Sequence, residues 1–368
     1  MDDQTQNQST EVQQAAGTTQ VPYHTHGGAD GPLLPLRNVS GNFPMVTGTP
    51  TFTPSGGVQN SIAFDTVTDQ MYYYDFTNKV WRAVGANINA QVVIYLTDTS
   101  VTSWTVPDDW NNFNNTIECI GAGAGAGGGE NGGNHTAGAG GGGGAYSKKT
   151  NVNLTPADVL TVQIGAGGAG SAAGAAPVAK GTDGQDTYFD GASLAASTVG
   201  AQGGKGGEGG SHTTGGAATG GSGGLANSSV GDIKFDGGTA GNVKDSGTGG
   251  SGGGGAAGPF GVGGASGDTN SNNQSSDGGR GDAGSGGTSG AANNFGAGGD
   301  GTEIDGLLGS GGGGGGYWGA AGPSAPGTGK GGKYGAGGGG GLGASPTGGH
   351  AGGNGSQGVI IIKYTPGP

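Results

Sequence analysis

The chain has 368 residues, 99 of them glycine, and sets 26 Asp and Glu against 13 Lys and Arg for a net charge of −13. That balance excludes nucleic acid and anionic lipid as partners, since both call for clustered Lys and Arg. Cys119 is the only cysteine, which excludes an intrachain disulfide framework and a thiol metal site, and no apolar run is long enough to span a bilayer.

Residues 1–20 are rich in Gln, Thr and Ser and lack the basic region and apolar core of a secretory signal. They read as a flexible segment that a partner orders. Residues 21–90 form the second region, a small β region that opens on a turn-rich stretch carrying His24 and His26. In an extended segment these two imidazoles face the same way. A parallel trimer would gather six nitrogens on its axis, suited to octahedral iron or another transition metal. The alternative is a pair of exposed turn histidines beside Gly27 and Gly28. Pro35, Pro44, Pro50 and Pro54 make residues 33–60 irregular. Strands are expected at 61–65, 71–75 and 79–84. Their aromatics form a poor core for one copy, which three copies around an axis would repair.

Residues 91–368 form the third region. Further strands are expected at 91–96, 101–106, 116–120, 145–154 and 159–164, with a short piece at 186–189 and a last strand at 359–364. Between them, residues 121–358 are mostly Gly, Ala, Ser, Thr and Asn. This block lacks the large apolar side chains whose burial normally offsets backbone entropy. It is either disordered or ordered by backbone packing that only glycine permits. Local triplets such as 202–210 put glycine on two faces of a three-residue helix, and charges are sparse, which favours short polyproline II segments packed side by side. The triplet register breaks too often for a collagen-like triple helix. The expected class is all-β: small N-terminal β modules, then a sandwich-like domain whose first and last strands share a sheet and whose long glycine-rich loops pack as polyproline II helices.

Among the motifs, Gly123, Gly125 and Gly128 after a strand match the dinucleotide-binding pattern, but no helix-forming sequence follows to hold a pyrophosphate. Arg280-Gly281-Asp282 spells an adhesion tripeptide, and among so many glycines it reads as a solvated loop. Residues 298–304 approach a calcium-binding nonapeptide but have Glu303 where Asp is needed and do not recur. His135, His212 and His350 read as isolated and solvated. Asp183 and Asp186 have no evident reason to pair. No catalytic constellation stands out, so an enzyme is not expected. Tyr317, Trp318 and Tyr334 are aromatics inside the glycine block. They either plug gaps between helices or form a platform for sugar rings or a receptor.

Strand segments around Trp104, Ile117 and Cys119, Tyr146 and Lys149, and Leu160 and Ile164, closing with Ile360 to Tyr364, follow one another in an order that resembles the glycine-rich domain of tailed-phage tail fibres and related virion proteins. The resemblance covers about residues 92–365. The stretch holding His24 and His26 is similar to a His-x-His element of phage fibres, which are trimeric and hold metal on their axis; here it occurs once. The resemblance implies a virion tail fibre or tip adhesin, homotrimeric. Its N-terminal region would attach to a baseplate, tail or capsid protein, and its glycine-rich loops would bind a host-surface glycan or outer-surface protein. It would be assembled in the host cytoplasm, carried on the virion and extracellular after release. A virion decoration or head-fibre protein without a defined receptor, and an ice-binding polyproline II protein with a flat Ala/Thr face, are the alternatives.

Overall fold

The computed structural model describes residues 45–46, 50, 62–65, 70–75, 80–84, 91–131, 136–175, 177–211, 217–244, 249–269, 275–282, 284–286, 297–304, 308–316, 329–343 and 348–367. They fall into two compact units, Met1–Ala86 and Asn87–Pro368.

The first unit holds a four-stranded sheet in the order β1 (Met45–Val46), β2 (Ile62–Asp65), β3 (Gln70–Asp75), β4 (Val80–Val84). β1 is parallel to β2 and the other pairs are antiparallel. Tyr74 and Trp81 are cross-strand partners whose rings meet edge-on at 5.4 Å. The two-residue β1 falls in the stretch expected to be irregular, because two residues carry no periodicity to read.

The second unit is a β-sandwich. One sheet runs β12 (Ile233–Phe235), β8 (Tyr146–Thr150), β7 (Asn115–Ile120), β13 (Val359–Tyr364), β5 (Val92–Leu96). The other runs β11 (Val199–Ala201), β10 (Thr187–Phe189), β9 (Val159–Gln163), β6 (Ser103–Thr105). The unit's first and last strands are neighbours, as expected, with Val92 opposite Tyr364 and Leu96 opposite Ile360. Alternate residues of the two sheets interdigitate: Ile117, Cys119, Ile360 and Ile362 meet Val162, Phe189 and Val199 in one core. Trp104 closes it, 5.8 Å from Trp110 and 5.5 Å from Phe189. Burial pushes the Cys119 thiol up, with Glu118 adding to it, so this cysteine is an inert packing residue. Two three-residue 3-10 turns, Leu194–Ala196 and Ala226–Ser228, are the only helical elements among the described residues.

Beyond Ile120 the chain leaves the sandwich as an extended run whose bonds repeat every third residue. Gly121, Ala124, Gly127 and Glu130 donate to Ala145, Gly142, Ala139 and Thr136 of the returning run 136–145. Ala122 and Gly125 donate to Gln185 and Thr182, while Gly123, Ala126 and Gly129 donate to Ser356, Gly353 and His350. The carbonyls answer with the same step. Ala122, Gly125 and Gly128 accept from Gly204, Gly207 and Gly210. Gly123, Ala126 and Gly129 accept from Gly168, Ser171 and Gly174, and Ala124 and Gly127 from Gly338 and Gly341. A three-residue period with every bond directed sideways is the signature of polyproline II, which makes no bonds within itself.

Run 121–130 is therefore enclosed by six neighbours, donating to three antiparallel runs and accepting from three parallel ones. Run 136–145 is enclosed likewise, by 121–130, 202–208, 335–341, 221–224, 254–257 and the run through Gly238. Such spacing demands glycine: a methyl on Gly129 would come closer than 3.0 Å to the Leu342 carbonyl oxygen, and one on Gly127 closer than 3.0 Å to that of Glu208. Ala122, Ala124 and Ala126 fill the interstices and are fully buried. Each backbone bond nets only about 0.5–1.5 kcal/mol, but the lattice saturates nearly every group it encloses, and that stands in for the missing apolar core.

At the margin of the bundle, N–H groups without a backbone carbonyl are taken by side chains. Asp183 and Asp186, three residues apart, accept from Gly206 and Gly203, each at 2.9 Å. Asn242 accepts from Gly220 at 2.9 Å, Asp268 from Asn242 at 2.9 Å, and Asn354 from Gly170 at 2.8 Å.

Candidate functional site

The strand registers give the second unit two poles. Asn115 and Val92 both stand opposite positions at the Tyr364 end of β13, whereas Ile120 and Leu96 stand at its Val359–Ile360 end. The chain therefore enters through Val92 and leaves through Tyr364 at one pole. That pole is tied by Thr365 N–H to Asn114, Gly367 N–H to Asp109, and the Tyr364 hydroxyl to the Asp109 carboxylate at 3.0 Å. Burial, then Asp109, push that hydroxyl up to about 12.

The bundle grows from the opposite end of the sandwich. Outward runs 121–130, 165–174, 202–210, 237–243, 263–269, 309–316 and 335–342 alternate with returning runs, and the bonds between them fix their directions. Consequently the outward runs end together, at Glu130, Gly174, Gly210, Val243, Thr269, Gly316 and Leu342, at the far pole. At three rises of about 3.1 Å per turn, a ten-residue run carries the far pole roughly 30 Å from the sheet.

The ends of these runs are cross-braced. The Thr136 hydroxyl donates to the Ser211 carbonyl at 2.7 Å, Lys244 N–H donates to the Thr269 hydroxyl at 3.1 Å, and Gly349 N–H donates to the Asn131 side chain. His350, expected to be solvated, is instead 9% exposed at this pole. Its carbonyl takes Gly129 N–H and its N–H binds the Leu342 carbonyl. Burial holds its imidazole below the usual range. The sequence signal missed it because its lattice partner Gly129 lies in a run far away along the chain.

The aromatics named from sequence are not brought together. Tyr334 is 6% exposed in a second core cluster with Ile120, Tyr146, Ala257 and Ile361, at the sandwich end of the bundle. There it fills a gap between runs and sheet. Gly316, after which Tyr317 and Trp318 follow, is at the far pole, bonded to Ser276. Tyr317 and Trp318 themselves, like His24 and His26, lie outside the described residues. Among the described residues no group of three His, Cys, Asp or Glu is placed to hold a metal ion.

The tripeptide at Arg280 is part of a returning run. Gly281 is buried, and the Asp282 carboxylate accepts the Phe260 N–H at 2.6 Å, so the motif is engaged in the lattice. On the outer face of the five-stranded sheet, Glu118 is 2% exposed and is bound by the Lys363 ammonium at 2.9 Å and the Tyr146 hydroxyl at 2.7 Å. Burial first, then the Glu118 charge, push the Tyr146 hydroxyl far up. Sequence reading did not single out this triad; its register across β7, β8 and β13 is what assembles it.

A family model described as a glycine-rich domain matches residues 97–365. That span opens just after β5 and ends one residue past β13, so it takes in most of the sandwich and the whole bundle. No curated protein matches the chain.

Proposed function

Starting from a chain that belongs to this glycine-rich domain family, we propose that it is a virion fibre or tip adhesin that binds a host-cell surface through the far pole of its bundle. The polarity of the second unit carries this reading. The second unit's chain enters and leaves at one pole, where an anchor to a particle belongs, and its outward runs end at the other, where a receptor would be met. A saturated lattice lets the sequences that link the runs vary without disturbing the fold, as suits a protein that follows a changing receptor. Weak contacts would gain strength from several copies per particle.

In the same reading, residues 1–20 attach to a baseplate, tail or capsid protein, and three copies associate around an axis. His24 and His26 of each would then face the axis, where imidazole nitrogens could hold iron or a similar ion. Light scattering of the purified chain tests the trimer, which requires three times 34.6 kDa. Binding of fluorescently labelled protein to a panel of bacterial cells tests the adhesin. Saturable binding to some strains, competing with particle adsorption, is expected. Binding to none, with the protein present on particles, would favour a decoration protein.

A further inference from the structure

Exposed apolar side chains of the second unit gather on one flank of the sandwich. Leu225, Ile233, Phe260 and Val262 are all exposed, and Asp236 ties their segments together. Its carboxylate accepts the Ala226 N–H at 2.5 Å, next to Leu225, and its carbonyl accepts the Gly263 N–H at 3.0 Å, next to Val262. Phe260 sits on the turn before Val262, and Ile233 is on β12, an outermost strand of the five-stranded sheet. Single exposed apolar residues need no explanation, but a gathered patch marks a contact surface. We infer that this flank receives the opposite edge of the same sheet in a second copy, β5 lying against β12, an inference that rests on the three-copy reading and names the surfaces that make it.

Both edges have backbone facing outward. Thr365 N–H bonds Asn114 on the β7 side, so the alternation of an antiparallel ladder gives Val92 and Ile94 to β13 and turns the Val93 backbone away from it. On β12 the Asp236 carbonyl faces outward to Gly263, and Lys234, two residues earlier, faces the same way. β5 reads Val-Val-Ile-Tyr-Leu, without the charge or proline by which edges usually prevent pairing. The side chains match too. Ile233 stands opposite Lys148, itself opposite Glu118, and Val93 stands opposite Lys363. Ile233 and Val93 therefore share the outer face, 45% and 38% exposed. Four antiparallel ladders separate β12 from β5, so the two strands run in the same direction. Copies standing with their poles aligned would set them as a parallel pair, Val93 beside Ile233, and the sheet would continue from copy to copy. Because the contact joins unlike edges, each copy keeps one edge to offer onward, and such a contact closes as a ring. Three copies are the ring that the fibre reading requires.

A disulfide trap tests the contact, since the native Cys119 is buried and stays silent. The full chain carrying Val93→Cys and Ile233→Cys is oxidised and run on a denaturing gel. Within one chain the two positions are four strand spacings apart, about 19 Å, beyond the roughly 7 Å that a disulfide can bridge, so every bond formed joins two copies. Covalent dimers and trimers are expected from the double variant and single chains from either variant alone. After reduction the double variant should melt as the unmodified chain does, because both side chains are exposed. A mass of three times 34.6 kDa for the unmodified chain, with no cross-link in the double variant, would overturn this contact and leave the trimer. Cross-linking as efficient in one single variant as in the double would replace it with a two-fold contact of like edges. A single-chain mass for the unmodified chain would remove the three-copy reading and this inference together, while cell binding would still decide the adhesin.

Discussion

The Lys363 ammonium meets the Glu118 carboxylate at 2.9 Å across two neighbouring strands, with Glu118 all but sealed from solvent. Such a pair is weak evidence for stability in itself, because desolvation offsets the attraction. Removing one partner is a different matter. Lys363→Met should destabilise the second unit by about 3–5 kcal/mol, since among the described residues it leaves the buried carboxylate with the Tyr146 hydroxyl as its one remaining hydrogen-bond partner. The double change Lys363→Met with Glu118→Gln should recover much of that loss. Denaturant melts of the wild type, the single variant and the double variant decide it; equal losses in both variants would contradict the account.

The lattice makes a sharper demand on glycine. Gly129 and Gly174 are neighbours through a backbone bond, but a methyl on Gly129 would collide with the Leu342 carbonyl, whereas one on Gly174 would meet nothing within 4 Å. Gly129→Ala should therefore cost about 3 kcal/mol, the upper part of the overpacking range. Gly174→Ala should be neutral or stabilise by up to about 1 kcal/mol through the unfolded chain. Thermal melts of the two variants side by side give the comparison, and similar shifts would refute close packing as the reason for glycine.

Marginal side chains should behave as replacements for absent neighbours. Asp186→Ala leaves the buried Gly203 N–H without its acceptor and should cost about 1–3 kcal/mol. Asp186→Asn keeps an acceptor oxygen and should retain most of the stability. Asp268→Asn, by contrast, loosens a largely exposed pair with Lys244 and should cost less than about 1 kcal/mol. Hydrogen exchange at Gly203 and Asn242 reads the two sites separately.

How much of this was written in the sequence depends on the kind of interaction. The strands around Ile117, Val162 and Ile360 were legible because alternation and β-branching report a half-buried sheet directly. Polyproline II packing was legible from the triplets near Lys205, but not which runs would be neighbours. That choice is made by backbone bonds between glycines that look alike in sequence, as where Gly138 meets Gly341. For the same reason Asp183 and Asp186 gave no hint of their shared task. Val199–Ala201 and Ile233–Phe235 escaped notice because three residues show no period, and Tyr334 because a tyrosine among glycines looks exposed until a sheet is laid against it.

His350 offers a pH-dependent reading of the far pole. Its side chain is buried and its affinity for a proton is lowered below the ordinary 6.5 by desolvation. Between the lowered folded value and 6.5, the unfolded chain binds the proton more readily than the folded one. The contribution of His350 to stability is therefore complete above pH 6.5 and is lost as pH falls through the window beneath it. Since Gly129 and Leu342 bond to the His350 backbone, exchange protection at Gly129 and His350 should fall on acidification from pH 7 to 5. Protection at Ile360 in the sandwich should hold over the same range. His350→Asn removes the titrating group, so it should flatten the response at the far pole. Loss of protection in the variant with the same midpoint would place the sensitivity in the carboxylates rather than in His350.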